Sequence, residues 1–317
     1  MAKISPVLEI KQPGLLATLQ DRGRSGYLAA GITSGGAVDE YAFLWANKLL
    51  DNPADAAQIE VTLGGFEANL LRRTQMVICG APMQVALNGR RLPTWLVFDV
   101  EPGDVLTIAA APRGVRSYLA VRGGFRAEAV LGSMATVKRD QLGGLRGDGS
   151  ALTAGDVLTA PVLSAPALLP RRPRTDLLQT QPANEPLTID VIAAGQYERF
   201  SQQAREQFCS QTYQVTAAQD RMGMRLQGPK SLSWEHDQIL SEPLPVGAIQ
   251  IPPDGQPIIM LVDRQTLGGY PKIGTVTWRS RCLLGQATAG TELVFNRVSL
   301  AAAQNEWRQF QRFFGSA

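Results

Sequence analysis

Within ten residues in its last third, the chain carries a carboxylate, a guanidinium, a phenol and an ammonium: Asp263, Arg264, Tyr270 and Lys272, with Gly268-Gly269 between them. A carboxylate can act as a base or orient water or a metal, and an ammonium can stabilise developing negative charge. Ile258 to Val262, directly upstream, is apolar, rich in strand formers and too short for a helix, which predicts a buried strand that delivers Asp263 at its end. A bend at Gly268-Gly269 would return Lys272 to that same end, in one cleft with Arg221. The same residues also suit a plain tight hairpin with a surface lysine.

The surroundings of this stretch repeat. Thr-Leu-Gly-Gly occurs at Thr62 to Gly65 and again at Thr266 to Gly269, each shortly after an acidic residue, Glu60 in one case and Asp263 in the other. Upstream of each lies a second match, Gln20-Asp21-Arg22-Gly23 and Gln219-Asp220-Arg221-Met222-Gly223. Two matched pairs in one order argue for an internal duplication, with Glu60 the counterpart of Asp263. The Asp-Arg dipeptides leave two readings open: guanidiniums that face a ligand, or Asp21-Arg22 and Asp220-Arg221 ion pairs that pin the copies.

Composition excludes several functions. The 317 residues, 44% hydrophobic and 19% charged, are enough for two cores. A net charge of +3 without a block of like charges indicates neither a nucleic-acid stripe nor a membrane tether. The amino terminus lacks a signal-peptide apolar region and no apolar run is long enough to span a bilayer, so a cytoplasmic protein is expected. Cys79, Cys209 and Cys282 are odd in number and far apart, which predicts free thiols and no metal knuckle. The single histidine, His236, rules out a His-rich zinc site and reads as a solvated loop residue. No Gly-Lys dipeptide exists to form a Walker phosphate loop, and no Met-Lys-Met to carry biotin.

The candidates need elements to position them. Residues 7–20 predict two short strands around Pro13-Gly14, the second delivering Gln20. The segment 23–39 has five glycines interleaved with Arg24, a structured loop offering backbone amides and a guanidinium, and Asp39 is placed to cap a helix ending near Leu50. From Gln75 to Val121 short strands recur, among them Trp95 to Phe98, with a hairpin turn at Asn88-Gly89. Without a helical period between them they point to a barrel or sandwich. Later, Leu187 to Ile192 reads as a strand, Tyr197, Phe200, Ala204 and Phe208 as one helical stripe, and Ser299 to Phe314 as a helix whose aromatic stripe is core or a contact between subunits. The expected fold is mainly β with a few helices, in two halves, 1–165 and 187–317, joined by a proline-rich linker at 166–186.

Four motifs taken together resemble one family: Thr18-Leu19-Gln20-Asp21-Arg22-Gly23-Arg24, Ser117 to Gly124, Arg221 to Leu226, and Gln265 to Ile273. It is the biotin-dependent carboxyltransferase family that includes KipA-like proteins, allophanate hydrolase subunit 2 and the C subunit of 5-oxoprolinase. The resemblance implies two cyclophilin-like β-barrels and work in a complex with two other chains, one KipI-like and one LamB/YcsF-like. It implies three activities to weigh: ATP-driven opening of the lactam of 5-oxo-L-proline to L-glutamate, carboxyl transfer from carboxybiotin as in urea carboxylase, or regulatory binding of a kinase inhibitor. The first is the expectation, with ATP as cofactor, magnesium left open, and no biotin on this chain. On it, Asp263, Lys272 and Arg221 are the catalytic candidates. Arg24, Gln20, Glu60, Gln250, Arg225 and Tyr270 are the substrate- or nucleotide-binding ones, and no metal ligand is assigned.

Overall fold

A computed structural model describes residues 3–173, 185–234 and 239–315. Its chain divides into two compact units, one of Met1–Ser25 with Gly35–Thr180 and one of Gly26–Ser34 with Gln181–Ala317. The fold is mostly β with four α-helices among the described residues, as the strand periodicity predicts.

The first unit holds two antiparallel sheets. One runs in the order Val157–Pro161, Ile4–Pro13, Phe66–Leu70, Val105–Ala109, Gln84–Leu87 and Arg90–Leu92. The other runs Leu16–Gln20, Gln58–Thr62, Arg116–Val121, Thr74–Gly80 and Phe98–Val100. Alternate side chains of both sheets meet in one apolar core that includes Leu8, Ile10, Leu19, Ile59, Phe66, Ile78 and Leu119. The Asn88-Gly89 turn forms as expected, with φ of 50° and 75°, the left-handed pair that fits strand twist in a two-residue hairpin. Asp39 caps the helix Glu40–Leu49 by accepting from Ala42 N at 3.1 Å. Trp95 is not in a strand. It turns with φ of 61° and donates its indole N–H to Gly80 O at 3.0 Å, so strand pairing starts only at Phe98.

The second unit closes. Leu187–Ala193, Lys272–Val276, Ala248–Gln250, Ile258–Met260, Gly223–Gln227, Tyr213–Gln219 and Glu292–Arg297 form a seven-stranded barrel, which leaves no open edge. The stripe from Tyr197 to Phe208 is buried as expected but is not one helix: a 3₁₀ turn, Tyr197–Arg199, is separated from the helix Gln202–Ser210 because Ser201 caps the latter on Ala204 N. The terminal helix Leu300–Phe314 buries only Phe310, against Trp278.

The proline-rich segment departs from the linker expected of it. Where it is described, it lies on the first unit: Gln75 pairs with both Leu168 N and Leu168 O, Arg122 donates to Pro166 O, and Arg171 donates to Leu49 O and pairs with Asp51. Its remainder, 174–184, and His236 lie outside the described residues.

Candidate functional site

The register of the barrel decides which charges can meet. Strand Ala248–Gln250 pairs antiparallel on one side with Ile258–Met260 and on the other with Lys272–Val276, so the two flanking strands run parallel to each other. Joining parallel strands requires a crossover, not a hairpin. Residues 261–271 therefore leave the barrel at the end where Asp263 sits and come back at the end where Lys272 begins. The expected single cleft of Asp263, Lys272 and Arg221 is corrected to two clusters at opposite ends of a short strand. Gly268 and Gly269, expected to bend the chain back, take no left-handed φ.

At one end, Asp263 is held by Arg221 in a two-bond fork, Nε to Oδ2 at 2.9 Å and Nη2 to Oδ1 at 3.1 Å, with both side chains largely buried. Arg264 turns the other way and donates to Leu244 O at 2.8 Å. Burial pushes its guanidinium pKa down to about 10, Arg281 adds to the effect, and Asp263 opposes it. Thr33, from the glycine-rich segment, is fully buried and donates to Val262 O at 3.1 Å. An aspartate committed to both nitrogens of a fork is poorly placed to take a proton, so this cluster reads as a clamp.

At the other end, Lys272 is the strand partner of Gln250, and both are buried. The Lys272 ammonium pairs with Glu242, which also accepts from Gln196 Nε2. The lysine's hydrogen bond, and after it the Gln196 amide, hold the Glu242 carboxyl below the usual carboxylate range against the opposing effect of burial. Two amide atoms beside this pair have no partner among the described residues: Gln250 Nε2 and Gln196 Oε1. A short ribbon of Glu242–Pro243 with Leu267–Gly268 runs alongside, and at Gly268 a β-carbon would come within 2.6 Å of Gln250 Nε2. Of the other candidates in this unit, Tyr270 is 44% exposed and Arg225 reaches an exposed Asp254 at 3.8 Å.

The first-unit candidates are engaged in hydrogen bonds within their own unit. Arg24 donates to Val130 O, Ser133 O and Ala135 O, which pins a distant loop. Asp21 grips the same loop, accepting from Ser133 Oγ and Met134 N at 2.6 Å each as well as from Gly23 N at 2.8 Å. Gln20 donates to Thr136 O and Thr18 Oγ1. Glu60 accepts from Tyr118 Oη at 2.7 Å and Val38 N at 3.2 Å, with Arg116 3.7 Å away. Burial, and next the Glu60 charge, raise the Tyr118 pKa well above its ordinary value, so it remains a donor. The Asp-Arg dipeptides do not pair internally: Arg22 meets Glu40, and Asp220 caps its own turn on Met222 N and Gly223 N. Sequence reasoning missed Gln196 and Glu242, which no spacing rule ties to Lys272. Among the described residues no group of acidic, cysteine or histidine side chains is arranged to hold a metal, and no helix is long and apolar enough to cross a membrane.

Comparison with known proteins bears on this geometry. The chain is 32% identical to the C subunit of 5-oxoprolinase from Haemophilus influenzae, covering 94% of this chain and 92% of the relative, and 31% identical to that of Escherichia coli, covering 97% and 96%. It is 31% identical to urea amidolyase of Lachancea kluyveri over 93% of this chain but only 17% of that one. Among solved structures, TTHA0988 superposes with a TM-score of 0.81 at 32% identity, covering 92% of this chain and 55% of that chain. The K. lactis urea amidolyase superposes with a TM-score of 0.87 at 28% identity, covering 96% of this chain and 20% of that one. The chain thus spans about half, or less, of the solved chains it matches. The family model for the carboxyltransferase domain, subdomain A and B, matches residues 30–297, and the chain belongs to that family.

Proposed function

We propose that this chain is the C subunit of an ATP-dependent 5-oxoprolinase and that its barrel binds the lactam beside Lys272. The observation that carries the reading is the unused pair of amide atoms. A lactam presents one carbonyl acceptor and one N–H donor on the same edge, and Gln250 Nε2 and Gln196 Oε1 are a buried donor and a buried acceptor beside one ion pair. In this reading Gln250 and Lys272 donate toward the carbonyl oxygen as negative charge develops on it, and Gln196 accepts from the ring nitrogen. A lactam carbon is resonance-stabilised. Transfer of a phosphoryl group from ATP to its oxygen, with release of ADP, makes the carbon electrophilic enough for water to add; the C–N bond of the adduct then breaks, freeing the amine, and a second water hydrolyses the resulting acyl phosphate to glutamate and phosphate.

Arg24 and Arg221 are engaged within the fold, so of the guanidiniums proposed for the nucleotide only Arg225 stays with this chain. The rest of the ATP site is assigned to the two partners, one KipI-like and one LamB/YcsF-like. Similarity over nearly the whole length of two proteins named as the C subunit of 5-oxoprolinase favours this reading. The structural likeness to urea amidolyase favours a second, carboxyl transfer to urea, whose carbonyl and N–H groups suit the same atoms.

Reconstitution with the two partners separates them. The proposal expects ATP hydrolysis stimulated by 5-oxoproline in the complex and almost none from this chain alone. Carboxylation of urea by carboxybiotin without any response to 5-oxoproline would replace it with the second reading.

A further inference from the structure

The barrel carries a second feature. An open groove of about 620 Å³ lies between the helix Gln202–Ser210 and the end of the strand Glu292–Arg297. Tyr197, only 6% exposed, lies in its wall beneath two guanidiniums, Arg205 at 5.5 Å and Arg297 at 5.3 Å from the ring centroid. Holding two cations at one ring is favourable for each and repulsive between them. Arg205 is neutralised by Glu198. Glu206, the acid on the groove itself, accepts from Gln202 at 2.7 Å along its own helix. Arg297 makes no ion pair among the described residues. The groove therefore contains one guanidinium without an ion-pair partner among the described residues, in a space of the size that small ligands occupy.

We propose that this groove is a binding site for a small organic anion, a carboxylate or phosphate held by Arg297 and Arg205 with its apolar part against Tyr197 and Phe295. A guanidinium offers both acid types the same two-pronged donor set, so the shared chemistry is the anionic group. The site is independent of the lactam reading. Cys209 provides a readout, because it lines the groove and is the one cysteine of the three that is not buried.

The experiment measures the rate of Cys209 alkylation by iodoacetamide on the full chain. Glutamate is titrated in one arm and ADP or inorganic phosphate in another, at constant ionic strength set with chloride. A saturable slowing in the glutamate arm assigns a carboxylate ligand, and one in the phosphate arm assigns a phosphate ligand. Arg297→Gln should raise the half-saturating concentration about tenfold, the loss of one charge-assisted contact. Arg297→Lys should recover part of it, since the charge remains without the fork. The ratio with and without ligand is compared within each variant, because burial raises the Cys209 thiol pKa and Arg297 partly opposes it. No protection in either arm, or equal protection in wild type and Arg297→Gln, overturns the proposal.

Discussion

The two Gln-Asp-Arg copies differ in what their polar atoms are given to hold. In the first unit Asp21 and Arg24 are buried and fastened to backbone groups more than a hundred residues away, on the loop 130–135. In the second, Asp220 is exposed and caps its own turn, while Arg221 forks onto Asp263. The glycines diverge as well: Gly64 and Gly65 take φ of 73° and 74° to turn the chain between strands, whereas Gly268 leaves room for Gln250. Related sequence can thus become a staple in one unit and the neighbour of a buried ion pair in the other. What separates them is reach: the first copy's side chains hold backbone groups of a distant loop, and the second's hold their own turn and a neighbouring aspartate.

The sharpest way to break this contrast is Asp21→Ala. It orphans two backbone amides and the Ser133 hydroxyl, and should cost about 3 kcal/mol in denaturant unfolding, whereas Asp220→Ala should cost about 1 kcal/mol or less. Equal losses would mean that the two copies do the same job. Next comes Lys272→Ala, for which turnover of the reconstituted complex should fall about a hundredfold while the melting temperature moves by only a few degrees. A large drop in melting temperature with activity retained would make the lysine a structural post.

Gln250→Met sharpens the comparison further. A buried amide with an unmatched donor burdens the fold, so the variant should be as stable as wild type or more so, yet its turnover should fall about tenfold. A Gln250→Met protein that is clearly less stable would show that the amide is matched after all. The smallest effect belongs to Glu242→Gln. Because the folded-state pKa of Glu242 is lowered, its contribution to stability is present above the unfolded carboxylate pKa and disappears as pH falls through the folded value. At 36% exposure solvent screens the pair, so the variant should lose at most about 1 kcal/mol at neutral pH, and the two proteins should converge in acid.

Much of this fold was legible because it rests on local rules. The Asn88-Gly89 hairpin, the Asp39 cap and the alternation through the first unit's strands each follow from the few residues around them. The site was legible only in part: Lys272 and Gln250 were singled out and do lie side by side, and Asp263 with Arg221 do form a pair. That these are separate clusters depends on strand order, since Ala248–Gln250 comes earlier in the chain yet inserts between Ile258–Met260 and Lys272–Val276. The partners of Arg24 were illegible for a similar reason. A guanidinium in a glycine-rich loop looks ready for phosphate until the carbonyls of Val130, Ser133 and Ala135 are folded around it, and nothing near Arg24 announces them.

The place of Gly26–Ser34 in the second unit has a consequence for synthesis on the ribosome. Thr33 is made early, but Val262, which accepts its hydrogen bond, follows 229 residues later. At roughly 5–20 residues per second that is a wait on the order of ten seconds or more. For that time the nascent first unit can fold around its own core while the nine-residue loop waits for the rest of its unit. A release that comes too early, or a protease that arrives first, would therefore act on this loop before any other part of the second unit exists.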